Sequence, residues 1–385
     1  MATRAAHDGH PDDGARRHTV ITGGCGFLGS HLARRLANEG RRVRLLDNLS
    51  RPGVDDNLDA LRREFPGGEV AFQLADVRDA WAVEKTVRHA EAVFHLAALP
   101  TSTATGPVED FEVNAQGTLN VLEALRALPS PPPLVFTSTC QVYGELGDLE
   151  LRLVEGRWLP AGESATFGEH GVPESRPVDG YGPHGCSKAA ADQYVRDYAR
   201  SFGLPAVVLR FSGLYGPGQS NGFSAGWLSQ LLGSALSGEA VKLPGDGHQV
   251  RDLLYVDDAV DALRAAEASA RRLAGHAFNL GGGPENACSA RHLVDALSAL
   301  RGTPIETRES EWMPGEPRFF VADLRRFQSE TGWRPAVGLD EGLGRLFAGA
   351  WASPPEPEDR PVHHRAGGSR ADEVFQPAGM AAAPA

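Results

Sequence analysis

Residues 18–30 read HTVITGGCGFLGS. An apolar, β-branched run enters a glycine-rich turn, and helical spacing begins at once in FLGSHLARRLANEG, residues 27–40. A strand that ends in glycines and opens a helix is the phosphate-cradling unit of dinucleotide folds. Gly23, Gly26 and Gly29 set the spacing GxxGxxG. Such a loop turns tightly and lets backbone approach a pyrophosphate. It also offers that group free N–H donors and the positive end of a helix dipole. A glycine triplet alone is a weak signal, but about twenty residues further on Asp47 closes a second apolar run, RRVRLLDN. A carboxylate there accepts hydrogen bonds from the adenosine ribose and repels a 2′-phosphate, which favours NAD over NADP. Arg51, close by, pulls the other way.

Outward from this unit the pattern repeats. EVAFQLAD, EAVFHLAA, PLVFTST and PAVVLRF (205–211) are further strand candidates, and AWAVEKTVRHA and FEVNAQGTLNVLEALRAL carry helical spacing. Near-continuous apolar strands separated by helices mean a parallel sheet covered on both faces, a doubly wound α/β (Rossmann) fold. The chain beyond is richer in Gly and Pro, as expected of a smaller C-terminal substrate-binding lobe. The expected organisation is a dinucleotide-binding domain over 18–212, interrupted by an insertion at about 145–180, then a region of 213–350 that is mainly lobe. Residues 1–17 and 351–385 have the composition of disordered ends. His7, His10, His363 and His364 belong to these ends and read as solvated rather than as a metal site.

The chain has 385 residues and a net charge of −12, which excludes a basic, nucleic-acid-binding surface. Lysine occurs only at 85, 188 and 242. The four cysteines (Cys25, Cys140, Cys186, Cys288) form no CxxC pair, so neither a disulfide framework nor a metal centre is indicated. No apolar run approaches the length of a membrane span, and the N-terminus has no signal-peptide core; a soluble, cytoplasmic protein is expected.

One segment carries proton chemistry. In GYGPHGCSKAAADQY (180–194), Lys188 opens a helix-forming run and His184 precedes it by one turn on the same face. With the glycine loop, LADVRD, HLAAL, TSTCQVYG, LRFSGLYGPGQ and GDGHQVRDLLYVDDAVDAL, residues from about 18 to 348 resemble the extended short-chain dehydrogenase/reductase family, the nucleotide-sugar epimerases and dehydratases. The resemblance implies a cofactor site of Gly23, Gly26, Phe27, Leu28, Gly29, Asp47 and Asn48, with Asp76 and Val77 beside the adenine and Leu96, Ala97 and Ala98 under the cofactor's middle. It implies Asn114 as a brace, Thr139 and Lys188 as catalytic residues, Lys188 also on the nicotinamide ribose, and Arg251 and Arg318 on the substrate diphosphate. A homodimer paired through FEVNAQGTLNVLEALRAL and KAAADQYVRDYARSFG is the family expectation. The sequences TGGCGFLGS, DNLSRPGVDDNL, GCSKAAADQYVRDYAR and PRFFVADL, with the long insertion, are similar to the branch that epimerises C2 of a CDP-linked sugar.

The family's acid/base residue is the tyrosine of Tyr-x-x-x-Lys, and here that position is His184. Three readings stand open. His184 carries the proton, since imidazole titrates nearest neutrality; Tyr181 swings in; or catalysis is lost and a non-catalytic NAD-binding protein remains. A dehydratase or decarboxylase is the enzymatic alternative, but Cys140 and Gln141 stand where a dehydratase has an acidic residue beside the catalytic Thr.

Overall fold

The apolar runs form strands joined by helices in strict alternation: β1 (His18–Thr22), α1 (Phe27–Asn38), β2 (Val43–Asp47), α2 (Val54–Glu64), β3 (Val70–Leu74), α3 (Ala80–Val87) and β4 (Ala90–His95). A short α4 (Pro107–Asp110) continues through a π-helical turn, Phe111–Gln116, into α5 (Gly117–Arg126), and β5 (Leu134–Thr139) follows. The insertion holds a hairpin, β6 (Leu151–Val154) and β7 (Arg157–Pro160), and α6 (Ala165–His170). Then come α7 (Gly182–Phe202), β8 (Ala206–Phe211), β9 (Gly213–Tyr215), α8 (Gly226–Ser237), β10 (Val241–Pro244), β11 (Val250–Tyr255) and α9 (Val256–Ser269). The chain closes with β12 (Ala277–Leu280), β13 (Ala287–Ser289), α10 (Ala290–Arg301), β14 (Thr307–Ser310), β15 (Phe319–Phe320), α11 (Arg325–Thr331) and α12 (Leu339–Ala352). This computed structural model describes residues 17–99, 106–219, 226–237, 239–312 and 315–352. The ends read as disordered, with His7, His10, His363 and His364, lie outside these residues apart from Arg17 and the helical residues 351 and 352.

The main sheet has seven parallel strands in the order β12-β8-β5-β4-β1-β2-β3. Strand order reverses between β1 and β4, so a crevice opens at their carboxyl ends, the place where such sheets take ligands. β1 and β8 are buried along their whole length, as near-continuous apolar composition requires. β12, well inside the region assigned mainly to the lobe, returns to cover the edge of β8 with the fully buried AFNL. The lobe proper is a mixed sheet in which β11 pairs with β9, β13 and β15, beside the parallel pair β10–β14.

Helix α7 is the element that positions chemistry. Pro183 sits in its first turn, where a missing N–H costs nothing, and Gly203 ends it in the left-handed region at φ 72°. Its middle is pinned by a buried ion pair: Arg210 on β8 grips Asp192 through two bonds, 2.7 and 2.8 Å. The same guanidinium donates to the Tyr143 hydroxyl (2.7 Å), which in turn donates to Asn279 on β12 (2.7 Å). Three strands or their ends therefore fix the rotation of α7.

Candidate active site

At the crevice the glycine loop is tight. A Cβ on Gly29 would lie 2.3 Å from the Gly23 carbonyl, and one on Gly23 (φ 67°) would lie 2.7 Å from the Ala97 nitrogen. Backbone therefore forms the floor, which is the cradle a pyrophosphate needs. Asp47 already accepts from the N–H groups of Cys25 (3.0 Å) and Leu49 (2.9 Å), so its carboxylate is fixed at the ribose end. Asp76 holds Arg78 and the Asn48 amide, and these bonds keep its carboxyl down at about 2. Arg51 lines the same end, and the charge of Asp47 acts on it. The residues fit a dinucleotide.

A single cavity of about 440 Å³ runs from this loop past α7 to the mixed sheet. Every residue assigned to the cofactor lines it except Asn114, and so do Thr139, His184, Lys188 and Arg251. Arg318 does not; it lies exposed, its guanidinium near the Trp158 and Trp312 rings. Tyr181 is also outside the cavity lining. It caps the start of α7 in an extended conformation, half-exposed, with its ring packed on Gly315.

Lys188 is buried, its ammonium 2.5 Å from the Thr137 carbonyl and 4.3 Å from the centre of the Phe136 ring. Burial lowers its pKa to about 7, against the pull of Asp192. His184 is pushed down to about 4, first by burial and then by the charge of Lys188. The imidazole is neutral at physiological pH. The Leu99 carbonyl hydrogen-bonds the ring, while Nδ1 is buried without a partner. One nitrogen thus carries the proton and is held, and Nδ1 is an acceptor with nothing to accept from.

Asn114 braces this arrangement without touching the cavity. Its Oδ1 accepts from the Leu99 N–H (2.8 Å), and its Nδ2 donates to the Ser187 hydroxyl (3.0 Å) and to the Leu99 carbonyl (3.4 Å). Ser187 donates to the His184 carbonyl (3.1 Å). The π-helical turn at Phe111–Gln116, where helical spacing alone predicts a plain α-helix, has Asn114 at its centre. Thr118 donates to the Asn114 carbonyl (2.6 Å), so it must accept from His95 Nε2 (2.9 Å). His95 Nδ1 then accepts from the Thr22 hydroxyl (2.6 Å). This buried, directional chain joins β1 to the brace, and desolvation keeps His95 neutral, with a pKa of about 3.

At the far end Arg251 donates to Glu316 (2.8 Å), whose other oxygen accepts from Gln141 (2.5 Å). Cys140 lines the cavity as a thiol, its pKa raised to about 12 by burial. Leu99, Ser187, Gln141 and Glu316 were not read from the sequence as site residues. Glu316 had a signal, an acid two positions before Arg318; Leu99 acts only through its backbone and leaves none.

Comparison with known proteins bears on what this cavity takes. Residues 19–281 match the model of the NAD dependent epimerase/dehydratase family. The chain is 35% identical to CDP-paratose 2-epimerase of Salmonella typhi over 342 residues, 85% of this chain and 97% of that protein. It is 31% identical to dTDP-glucose 4,6-dehydratase of Xanthomonas campestris over 346 residues, 84% and 90% of the two chains. Among solved structures it is similar to UDP-glucuronic acid 4-epimerase from Bacillus cereus in complex with UDP-glucuronic acid and NAD. That likeness has a TM-score of 0.73 at 25% identity and covers 87% of this chain and 99% of the other.

Proposed function

Because the chain belongs to the NAD dependent epimerase/dehydratase family, we propose that it is a nucleotide-sugar epimerase acting at C2 of a CDP-linked sugar. Its cofactor is NAD. The observation that carries the reading is the convergence of Thr139, His184 and Lys188 on the cavity that the glycine loop opens. NAD supplies a reversible hydride acceptor, held by the loop and Asp47. With the C2 hydrogen given up as hydride to the bound cofactor, His184 would take the C2 hydroxyl proton, leaving a keto-sugar. The Thr139 hydroxyl and the Lys188 ammonium stabilise the developing oxyanion. Reversal on the other face of the sugar, with His184 returning the proton, inverts the centre. The likeness to the Salmonella 2-epimerase supports CDP and C2.

Epimerisation is favoured over dehydration by the neighbour of Thr139. The Cys140 thiol has its pKa pushed up to about 12, and Glu316 is committed to Arg251 and Gln141, so neither offers an acid to expel water. The test is a panel of CDP-, UDP-, GDP- and dTDP-hexoses incubated with the holoenzyme, with products resolved by NMR. A C2 epimer from the CDP-sugar is expected. A 4-keto-6-deoxy product would establish the dehydratase instead, and no conversion of any sugar would establish a non-catalytic protein. We further propose a homodimer that pairs through α5 and α7, and Arg318 as a ligand of the diphosphate.

A further inference from the structure

The insertion has so far had no role. Its hairpin turns through Glu155 and Gly156, both left-handed (φ 47° and 72°), the two-residue turn that matches strand twist. The tip is moored to the loop before β11: Gly156 oxygen faces His248 Nδ1 (2.9 Å), and the Trp158 N–H donates to the His248 carbonyl (3.0 Å). The Trp158 indole donates to Asp246 (2.9 Å). That mooring lays the indole against Arg318, 5.0 Å from ring centre to guanidinium carbon, and the Trp312 ring centre is 6.0 Å from the same carbon. Trp312 is itself seated on Gly245, where a Cβ would lie 2.4 Å from the ring.

A guanidinium held against indole rings is restrained, while its N–H groups stay available to bind a ligand. Arg318 immediately precedes β15, and its carbonyl accepts from the Val250 N–H (2.9 Å), so it stands beside the strand that carries Arg251. Two neighbouring cations suit the two phosphoryl groups of one diphosphate. Arg251 is already in an ion pair with Glu316, so Arg318 is the cation whose charge is not spent on a carboxylate partner among the described residues. We infer that the insertion hairpin is part of the substrate site, with Trp158 as a positioning residue that presents Arg318 to a nucleoside diphosphate.

This rests on the nucleotide-sugar reading above, and the experiment separates the two. CDP and UDP are titrated into NAD-loaded protein by calorimetry, with CDP-sugar turnover measured alongside. Arg318→Gln should weaken nucleoside diphosphate binding by ten- to a hundredfold, Trp158→Leu by five- to twentyfold, and Trp158→Phe by less than threefold. In Trp158→Leu the loss should fall on KM, with kcat and NAD content unchanged. CDP should quench Trp158 emission, so the quench should shrink in Trp158→Phe, a readout that survives if the Leu variant fails to fold. Nucleoside diphosphate binding by Trp158→Leu within twofold of the parent, or an unchanged quench in Trp158→Phe, overturns the positioning role and leaves the epimerase reading standing. Failure of the parent to bind either diphosphate overturns both.

Discussion

His184 lines the cavity, and burial first and Lys188 second lower its pKa to about 4. A base is needed, so kcat should rise as pH climbs through about 4 and His184 loses its proton. If the Lys188 ammonium is required, kcat should fall as pH climbs through about 7 and that charge is lost. Stability carries the same signature. Between about 4 and the unfolded value near 6.5 the unfolded chain binds the His184 proton and the folded chain does not, so stability falls as pH drops through that window. His184→Phe should keep NAD and lose on the order of 10²–10⁴ in kcat, whereas Tyr181→Phe, outside the cavity lining, should be nearly silent. A dead Tyr181→Phe beside an active His184→Phe would reverse the assignment. Asp47→Ala should weaken NAD by about 1–3 kcal/mol, read by equilibrium dialysis, since the ribose hydroxyls lose their acceptor; preference of the unaltered protein for NADP would contradict that role.

At the scale of elements, α7 matters most, and its hold on the sheet makes a separate prediction. Asp192→Ala leaves Arg210 charged and buried without its carboxylate, which should cost about 3–5 kcal/mol in chemical denaturation. A cost under 1 kcal/mol would mean that Arg210 finds another partner. The glycine loop, Asp47, the order of strands and helices, and the pairing of His184 with Lys188 were all legible in the sequence, because each rests on local spacing. The π-helical turn was not. It depends on Thr118, Asn114 and a histidine from another strand meeting in space, and FEVNAQGTLNVLEA keeps helical spacing whether or not they do. Trp158 and Glu316 were missed for the same reason: their partners Arg318, Asp246 and Gln141 are distant in the chain. β12 was hidden because AFNL is too short to announce itself.

On the whole molecule, apolar side chains are left outside the core where α4, its π-helical continuation and α7 face outward. Val108 is 69% exposed, Phe111 57% and Tyr194 47%. Pairing of two chains there should give a dimer by light scattering at micromolar concentration, and Tyr194→Glu should yield monomers; a monomeric parent would remove the proposal. The late return of β12 has a consequence for biosynthesis. Synthesis proceeds from the N-terminus, so β8 is made some seventy residues before the strand that covers it. Until then the nascent sheet presents a largely apolar edge strand, AVVLRF, with free N–H and C=O groups, a template for pairing with other chains. Chains arrested before Ala277 should therefore aggregate or be captured by chaperones, and chains extended past Leu280 should not. The last strand of the sheet is the checkpoint at which a ribosome-bound chain becomes safe to release.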